Sequence, residues 1–222
     1  CILKASTEGS PGVVIFTTPE RDRLLKEPAL EERLRSLKGK WVIGLHHNWH
    51  DYNFVYNPLF DFSMAGEDDL LAANGMAIPL IPLDACNFVP AYFQPSESPK
   101  FWDILYIARA VRFKRIPEFF QSIRSLYDRG QTCRVLFICP LPPYERKERT
   151  TVFYNIRDAY DEMFSVPEKE LFTLLTLDYQ YPFPFDLPTL AHFYRSSRIF
   201  VHSADEERRC RVAAYAWASG LP

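Results

Sequence analysis

The chain has 222 residues, of which 47% are hydrophobic and 15% aromatic, and its formal net charge is −2 at pH 7. These values are typical of a globular chain with one large or two modest domains, and they exclude a disordered protein. The near-neutral charge and the lack of a dense basic cluster also exclude the usual pattern of phosphate-backbone binders, so we expect no nucleic acid partner.

Cysteine usage and hydropathy indicate where the protein works. The five cysteines form no Cys-x-x-Cys pair, so we expect free thiols and a cytoplasmic location. No apolar run reaches the roughly 18 residues of a membrane span, which predicts no transmembrane segment. Because the chain begins at Cys1 and ends at Pro222, directly after Gly-Leu, we expect it to be part of a longer protein.

Short apolar runs alternate with segments of helical period, the pattern of β-α-β units and parallel sheets. The predicted strands are Val13–Thr18, Trp41–Leu45, Asp61–Met64, Ala77–Leu80, Asp103–Ile107, Arg134–Cys139, Phe172–Leu177 and Ile199–His202. Residues 20–38 are helical in period but contain Pro28, which predicts two short helices or one kinked helix. Three prolines in residues 90–99 predict a linker between a first domain, residues 1–89, and a second, residues 100–222.

Three helices are predicted in the second domain. Apolar residues recur with helical spacing from Ile116 to Tyr127, with Gly130 just past the end. A second helix begins at Leu187, and a third ends at Gly220. The start of the third is predicted from a Ser-x-x-Glu capping box.

That capping box consists of Ser203 and Glu206, directly after the strand predicted at 199–202. A helix starting there would aim its free N–H groups and positive dipole end at the loop after the strand. Open α/β sheets bind phosphates at such a place.

Several segments occur in the order found in one known enzyme family. Residues 103–115 resemble its "v-G-R-x-x-x-x-K-G" segment, with Arg109 and Lys114 at the two basic positions. Residues 193–203 resemble "l-Y-r-x-a-d-v-f-v-x-P-S", and residues 216–222 resemble "A-m-A-x-G-x-P". Residues 81–95 are similar to the joining segment "i-P-N-G-V-D … F-x-P". The series resembles the large retaining, family 4-like group of GT-B glycosyltransferases that includes sucrose and glycogen synthases.

The resemblance implies a GT-B-like α/β fold with two Rossmann-type parallel-sheet domains, each incomplete in this chain. It also implies a retaining glycosyltransferase of carbohydrate biosynthesis that needs neither a metal nor another cofactor. The donor substrate would be a nucleotide-diphosphate sugar, bound in the cleft between the domains. The acceptor would be an unknown glycan, lipid or protein.

The resemblance assigns roles to individual residues. Arg109 and Lys114 would hold the diphosphate by fixed positive charge, and Glu206 or Glu207 would contact the sugar hydroxyls. We also assign Ser203 and Tyr215 to donor binding. Simpler explanations stay open, because basic residues in strand-end loops are often only solvated and the capping box already accounts for Glu206.

The sequence also departs from the family pattern. Tyr215 stands where the family carries the second acid of its Glu-x7-Glu motif, and Glu-Arg-Arg-Cys at residues 207–210 replaces a glycine-rich turn. Pro140 replaces the glycine that follows a strand. Because glycines let the backbone approach a donor closely, these departures support a second hypothesis, a catalytically degenerate binding or scaffold protein.

Histidines follow the strand predicted at 41–45. His46 or His47 resembles the histidine of the family's "t-x-H-d" motif, which faces the cleft near the sugar or acceptor. Zinc is bound by histidine and aspartate side chains, and His50 and Asp51 lie close by in the sequence. A third hypothesis is therefore a metal hydrolase, and a purely structural role for the histidines also stays open.

Overall fold

The chain forms two compact units. The computed structural model describes residues 1–47, 57–65, 79–83, 85–139, 148–175, 186–205, 207 and 210–222. The units divide between Asn87 and Phe88, two residues before the predicted boundary. Within the segment predicted as a linker, Phe93 is buried in the second unit, stacked on Tyr215 at 4.1 Å between ring centroids. This segment therefore contributes an aromatic side chain to the second core.

The first unit is built on a five-stranded sheet. Its strands, in chain order and in sheet order, are β1 (Ile2–Lys4), β2 (Gly12–Thr17), β3 (Trp41–His46), β4 (Phe62–Ala65) and β5 (Leu80–Pro82). β1, which the sequence did not predict, pairs antiparallel with β2, and the other strands are parallel. Helices α1 (Thr18–Lys26) and α2 (Pro28–Leu37) follow β2, so Pro28 separates two helices. The buried core is formed by Ile43, Leu45, Leu59 and Phe60.

The second unit is built on a four-stranded, fully parallel sheet. Its strands are β6 (Trp102–Ile107), β7 (Val135–Ile138), β8 (Phe172–Leu175) and β9 (Ser197–Val201), in the sheet order β8-β7-β6-β9. Its helices are α3 (Ile116–Asp128), α4 (Glu148–Met163), α5 (Val166–Lys169), α6 (Leu187–Arg195) and α7 (Arg211–Ala218). The predictions of α3 and α6 are confirmed, whereas α4 was not predicted. No helix in the described part of the chain is long and apolar enough to cross a membrane.

Side chains of β6 alternate between two cores, as expected for a strand buried on both faces. Ile104 and Tyr106 pack in a cluster with residues of α3 and α4. Leu105 and Ile107 pack on the other face in a cluster with residues of α6 and α7. The two layers of helices therefore fix the sheet and leave its carboxyl edge for loops.

The order of the strands creates a topological switch point between β6 and β9. The chain runs from β6 to β7 and β8 on one side, and then returns to place β9 on the other side of β6. In open α/β sheets, ligands bind outside the carboxyl ends of the strands at such a point. A ligand-binding site is therefore expected in the loops after β6 and β9.

The start of the last helix was predicted wrongly. The helix begins at Arg211 with Cys210 at the N-cap position, and the predicted capping residue Ser203 lies outside it. The Ser203 hydroxyl instead donates to the carbonyl oxygen of Lys114 at 2.7 Å, a tertiary contact that competes with local capping. Glu206, the other residue of the predicted capping box, lies outside the described residues. Gly220 has a φ of 75°, as expected for a glycine just past a helix end.

Candidate functional site

Two loops meet at the carboxyl ends of β6 and β9. The first contains a short 3-10 turn, Arg112–Lys114, and the second begins at His202 and includes Asp205, Glu207 and Cys210, the N-cap residue of α7. The backbone N–H of Asp205 donates to the carbonyl oxygen of Phe113 at 3.1 Å. Arg115 and Asp205 also form an exposed ion pair at 2.6 Å. These contacts hold the loops together.

Two hydroxyl groups hold the backbone of Lys114 in place. The hydroxyls of Tyr106 and Ser203 lie 2.7 Å from each other, and each lies 2.7 Å from the Lys114 carbonyl oxygen. Burial raises the pKa of Tyr106 to about 12, so this hydroxyl keeps its proton at neutral pH. A strand residue and a loop residue together therefore set the position of Lys114.

The centre of the site is a buried ion pair between Lys114 and Glu207. The Lys114 ammonium contacts the Glu207 carboxylate, and Lys114 as a whole is only 5% exposed. Burial acts to raise the pKa of Glu207, but His202 and Lys114 outweigh it and hold the pKa at about 2. The carboxylate is therefore charged at neutral pH.

His202 and Cys210 complete the cluster. The Nε2 atom of His202 lies 2.7 Å from Oε2 of Glu207, outside good hydrogen-bonding geometry, so we describe this contact as electrostatic. On the other side of the ring, Nδ1 lies 3.8 Å from Sγ of Cys210. Burial, followed by the nearby Glu207 charge, raises the pKa of Cys210 to about 11. The thiol is therefore protonated at neutral pH and stands at the start of α7.

The same side chains also form the one group, among the residues that the structure describes, with the composition of a metal site. The ligand atoms of His202, Glu207 and Cys210 all lie within 4.8 Å of one another, and these donor types suit zinc. However, the imidazole uses a different nitrogen toward each of its two neighbours, and the Glu207 carboxylate already has Lys114 as its cation. This arrangement favours the ion pair over a bound metal.

Two other predicted donor-site residues lie elsewhere. Arg109 is exposed in the loop after β6 and makes no ion pair with any residue in the described part of the chain. Tyr215 lies 7% exposed in the apolar core, where its ring packs on Phe93 and Tyr194. The structure therefore brings Lys114, Ser203 and Glu207 together, leaves Arg109 at the same edge of the sheet, and places Tyr215 in the core.

The histidines of the first unit lie at the carboxyl end of β3. His46 is the last residue of that strand, and the backbone N–H of His47, which is 1% exposed, donates to the Met64 carbonyl oxygen at 2.9 Å. His50 and Asp51, the other members of the hypothetical metal site, lie outside the described residues. Within the described ranges, His46 and His47 belong to no group able to hold a metal ion.

Sequence reasoning did not assign three residues of this site. Tyr106 was read only as part of a strand, and Cys210 only as a replacement for a glycine. His202 was predicted as the end of a strand, although a polar residue at the carboxyl end of a parallel strand is itself a signal for a site. The neighbouring predicted strand with Lys114 just after it would have strengthened that signal.

Comparison with solved structures identifies the fold. The chain matches an alpha,alpha-trehalose-phosphate synthase (UDP-forming) from Burkholderia vietnamiensis with a TM-score of 0.57 and 14% identity, over 85% of this chain and 53% of that one. It matches the pneumococcal O-GlcNAc transferase GtfA, solved with UDP and GlcNAc, with a TM-score of 0.59 and 12% identity, over 95% and 40% of the two chains. The chain has a GT-B glycosyltransferase fold.

A third GT-B match, TarM, has a TM-score of 0.58 and 10% identity, over 95% of this chain and 40% of that one. The chain thus spans about half, or less, of the length of these GT-B structures. No protein-family model and no curated protein matches the sequence. At these identities the likeness establishes the GT-B fold, and the chemistry must be argued from the side chains.

Proposed function

We propose that the chain is a retaining glycosyltransferase, or part of one, whose second unit binds a nucleotide-diphosphate sugar without a metal. The observation that carries this proposal is the buried Lys114–Glu207 pair at the switch point of a GT-B-type parallel sheet. Two solved structures of the same fold support it, because the trehalose-phosphate synthase is UDP-forming and GtfA was solved with UDP. We further propose a cytoplasmic location, which the free cysteines of the described residues support.

Electrostatics explain how this site would assist the reaction. When the bond to the anomeric carbon breaks, negative charge develops on the leaving diphosphate and must be stabilised. Lys114 supplies a point charge, Arg109 in the same loop supplies a planar guanidinium, and the first turn of α7 adds the positive end of a helix dipole. These charges act without a metal ion. The buried position of Lys114 strengthens its electrostatic effect, because water screens it less.

Glu207 would accept hydrogen bonds from hydroxyl groups of the donor sugar. Its carboxylate is charged at neutral pH and is fixed by Lys114, so its acceptor oxygens are oriented before the substrate arrives. Ser203 holds the Lys114 turn through its hydroxyl and so positions the cation. In the first unit, we assign His46 or His47 to an acceptor that is a glycan, a lipid or a protein.

Calorimetric titration of the 222-residue chain with UDP-glucose, ADP-glucose and GDP-mannose tests donor binding. We expect one of these donors to bind, and Lys114→Met to weaken it about tenfold to a hundredfold, because a charge-assisted hydrogen bond contributes about 1.5–3 kcal/mol. Arg109→Ala should weaken binding too, and because Arg109 is exposed, the substitution removes no buried packing.

Arg198→Ala is the matched control. Arg198 is exposed near the amino end of β9, opposite the site, so its loss removes a positive charge without touching the loops. Equal weakening by Arg198→Ala and Arg109→Ala would mean that only the net charge matters. Absence of binding by all three donors would refute the proposed function.

A second candidate function is nucleotide-sugar binding without transfer. The position of Tyr215 favours it, because this core residue stands where the resembled family carries its second acid. A product assay with a radiolabelled donor separates the candidates. Donor binding with neither transfer nor donor hydrolysis would support the binding protein, and release of the nucleoside diphosphate would support the enzyme.

A further inference from the structure

Arg115 joins the turn that carries Lys114 to helix α3, in a backbone conformation that few side chains adopt. Its φ is 50°, and among the residues that the structure describes it is the one non-glycine residue with a positive φ. Such a conformation costs free energy and persists where surrounding contacts fix it, which happens often at ligand-binding sites. We therefore infer the role of Arg115 from the contacts that hold it.

The guanidinium of Arg115 pairs with two carboxylates. Its Nε atom lies 3.1 Å from Oε1 of Glu118, on the first turn of α3. Its Nη1 atom lies 2.6 Å from Oδ1 of Asp205, in the loop that follows β9. The two carboxylate side chains have similar exposure, 46% and 53%. They differ because only Asp205 belongs to a distant part of the chain, 90 residues from Arg115.

The contact with Asp205 bears on the position of Glu207. Asp205 lies two residues before Glu207, whose carboxylate is the proposed contact for the donor sugar. Two contacts tie Asp205 to the turn after β6. Its backbone N–H donates to the carbonyl oxygen of Phe113 at 3.1 Å, and its carboxylate accepts from Arg115. The pair with Arg115 therefore holds the second loop close to the point where Glu207 leaves it.

Lys114 is held in another way. Its carbonyl oxygen accepts from the hydroxyl of Tyr106, a residue of β6, and from the hydroxyl of Ser203, at the beginning of the second loop. Neither contact involves the side chain of Arg115. Loss of the Arg115–Asp205 pair would thus loosen the part of the loop that carries Glu207 and leave Lys114 in place.

We propose that Arg115 is a positioning residue for the donor sugar, because through Asp205 it holds Glu207 where the sugar hydroxyls bind. This inference rests on the proposed function, which takes Glu207 as the contact of the sugar and Lys114 as the contact of the diphosphate. Arg115 then acts on the sugar end of the donor. Loss of the pair should weaken binding of a nucleotide-diphosphate sugar and spare binding of the nucleoside diphosphate alone.

Calorimetric titration compares these two ligands directly. We use UDP-glucose, ADP-glucose and GDP-mannose, each beside its own nucleoside diphosphate. Arg115→Gln and Asp205→Asn should each weaken the bound donor about two- to fivefold, the range expected for an exposed ion pair. Both should leave the affinity for the nucleoside diphosphate unchanged. The double variant should weaken donor binding no more than either single variant, because no pair is left to break.

The sign of the Asp205→Asn effect separates positioning from charge. Removing a carboxylate makes the site more positive, so electrostatics alone would tighten binding of an anionic donor. Our inference predicts weaker binding. Glu118→Gln is the matched control, because it removes the other carboxylate of Arg115, of similar exposure, from within α3. It should not weaken donor binding.

Stability gives a second readout. An exposed pair contributes little to unfolding, so Arg115→Gln and Asp205→Asn should lower the urea midpoint of peptides from β6 and β9 by less than about 0.5 M. Weaker donor binding with this small change supports positioning. A larger fall in the midpoint, with the donor and the nucleoside diphosphate affected equally, would assign Arg115 a purely structural role and overturn the inference.

The remaining outcomes separate this inference from the function beneath it. Tighter donor binding by Asp205→Asn, or equal weakening of both ligands by Arg115→Gln, would assign the effect to charge and overturn the role of Arg115. Unchanged donor affinity in both single variants would overturn it as well. These results leave the proposed function intact, whereas failure of the unmodified chain to bind any donor overturns the proposed function itself.

Discussion

Replacing Lys114 by methionine should destabilise the second unit by about 3 kcal/mol. The substitution leaves Glu207, whose side chain is only 15% exposed, as a buried carboxylate without its cation. Breaking one partner of a buried pair typically costs about 3–5 kcal/mol. We expect the lower end of this range, because His202 still lies 2.7 Å from the carboxylate.

A double-mutant cycle isolates the pair from other effects of the substitution. Lys114→Met and Glu207→Gln each leave an unpaired partner, whereas the double variant leaves no buried charge. We therefore expect the double variant to be more stable than the sum of the single effects predicts. With a urea dependence of about 2 kcal/mol per molar, a loss of about 3 kcal/mol lowers the unfolding midpoint by about 1.5 M.

Unfolding must be measured separately for the two units, so we would use pulsed hydrogen exchange of peptides from β6 and β9. The control is the exposed pair of Arg115 and Asp205, tested as Arg115→Met with Asp205→Asn, whose coupling should be much smaller because solvent screens it. Additive effects of Lys114→Met and Glu207→Gln, or a coupling no larger than that of the exposed pair, would refute the reasoning.

Two further predictions concern acid stability and the first unit. Because the pKa of Glu207 lies at about 2 instead of the ordinary 4.5, its carboxylate stabilises the fold above about pH 4.5. This contribution is lost as the pH falls toward 2, so Glu207→Gln should flatten the acid unfolding curve, and an unchanged curve would contradict the pairing. Gly44→Ala would place a Cβ atom 2.3 Å from the Phe62 ring, so we expect a loss of about 1–3 kcal/mol from overpacking. Hydrogen exchange of peptides from β3 measures this loss of stability. An unchanged unfolding midpoint of β3 would mean that the Phe62 ring moves aside at no cost.

Much of the architecture could be predicted from the sequence, because its signals are local. Helical spacing from Ile116 and a glycine after it predicted α3, and Pro28 predicted either a division or a kink of the first helical stretch, of which the structure has the division. The alternation of apolar runs and helices predicted parallel sheets. Strand β1 escaped prediction because its three residues are exposed and show no buried face.

The candidate site was only partly predictable. The resemblance assigned Lys114 and Glu207 to donor binding. The two residues are 93 apart in the chain, and neither segment contains a pattern that predicts an ion pair between them. The capping signal at Ser203 was a sound local pattern, yet the hydroxyl binds the backbone of a loop that only the folded sheet brings near. The contact between His202 and Cys210 could not be predicted, because it depends on the start of α7 at Arg211.

The sequence by itself determined most elements of this protein: which of these segments bury an apolar face, where their helices stop, and that the strands other than β1 are parallel. Only the tertiary structure decided that β9 lies beside β6, and with it that Lys114, His202, Glu207 and Cys210 form one cluster. The physical reason is the distance along the chain over which each signal acts. Helical period and glycine or proline positions act over a few residues, whereas the order of strands depends on the packing of side chains that are distant in the chain.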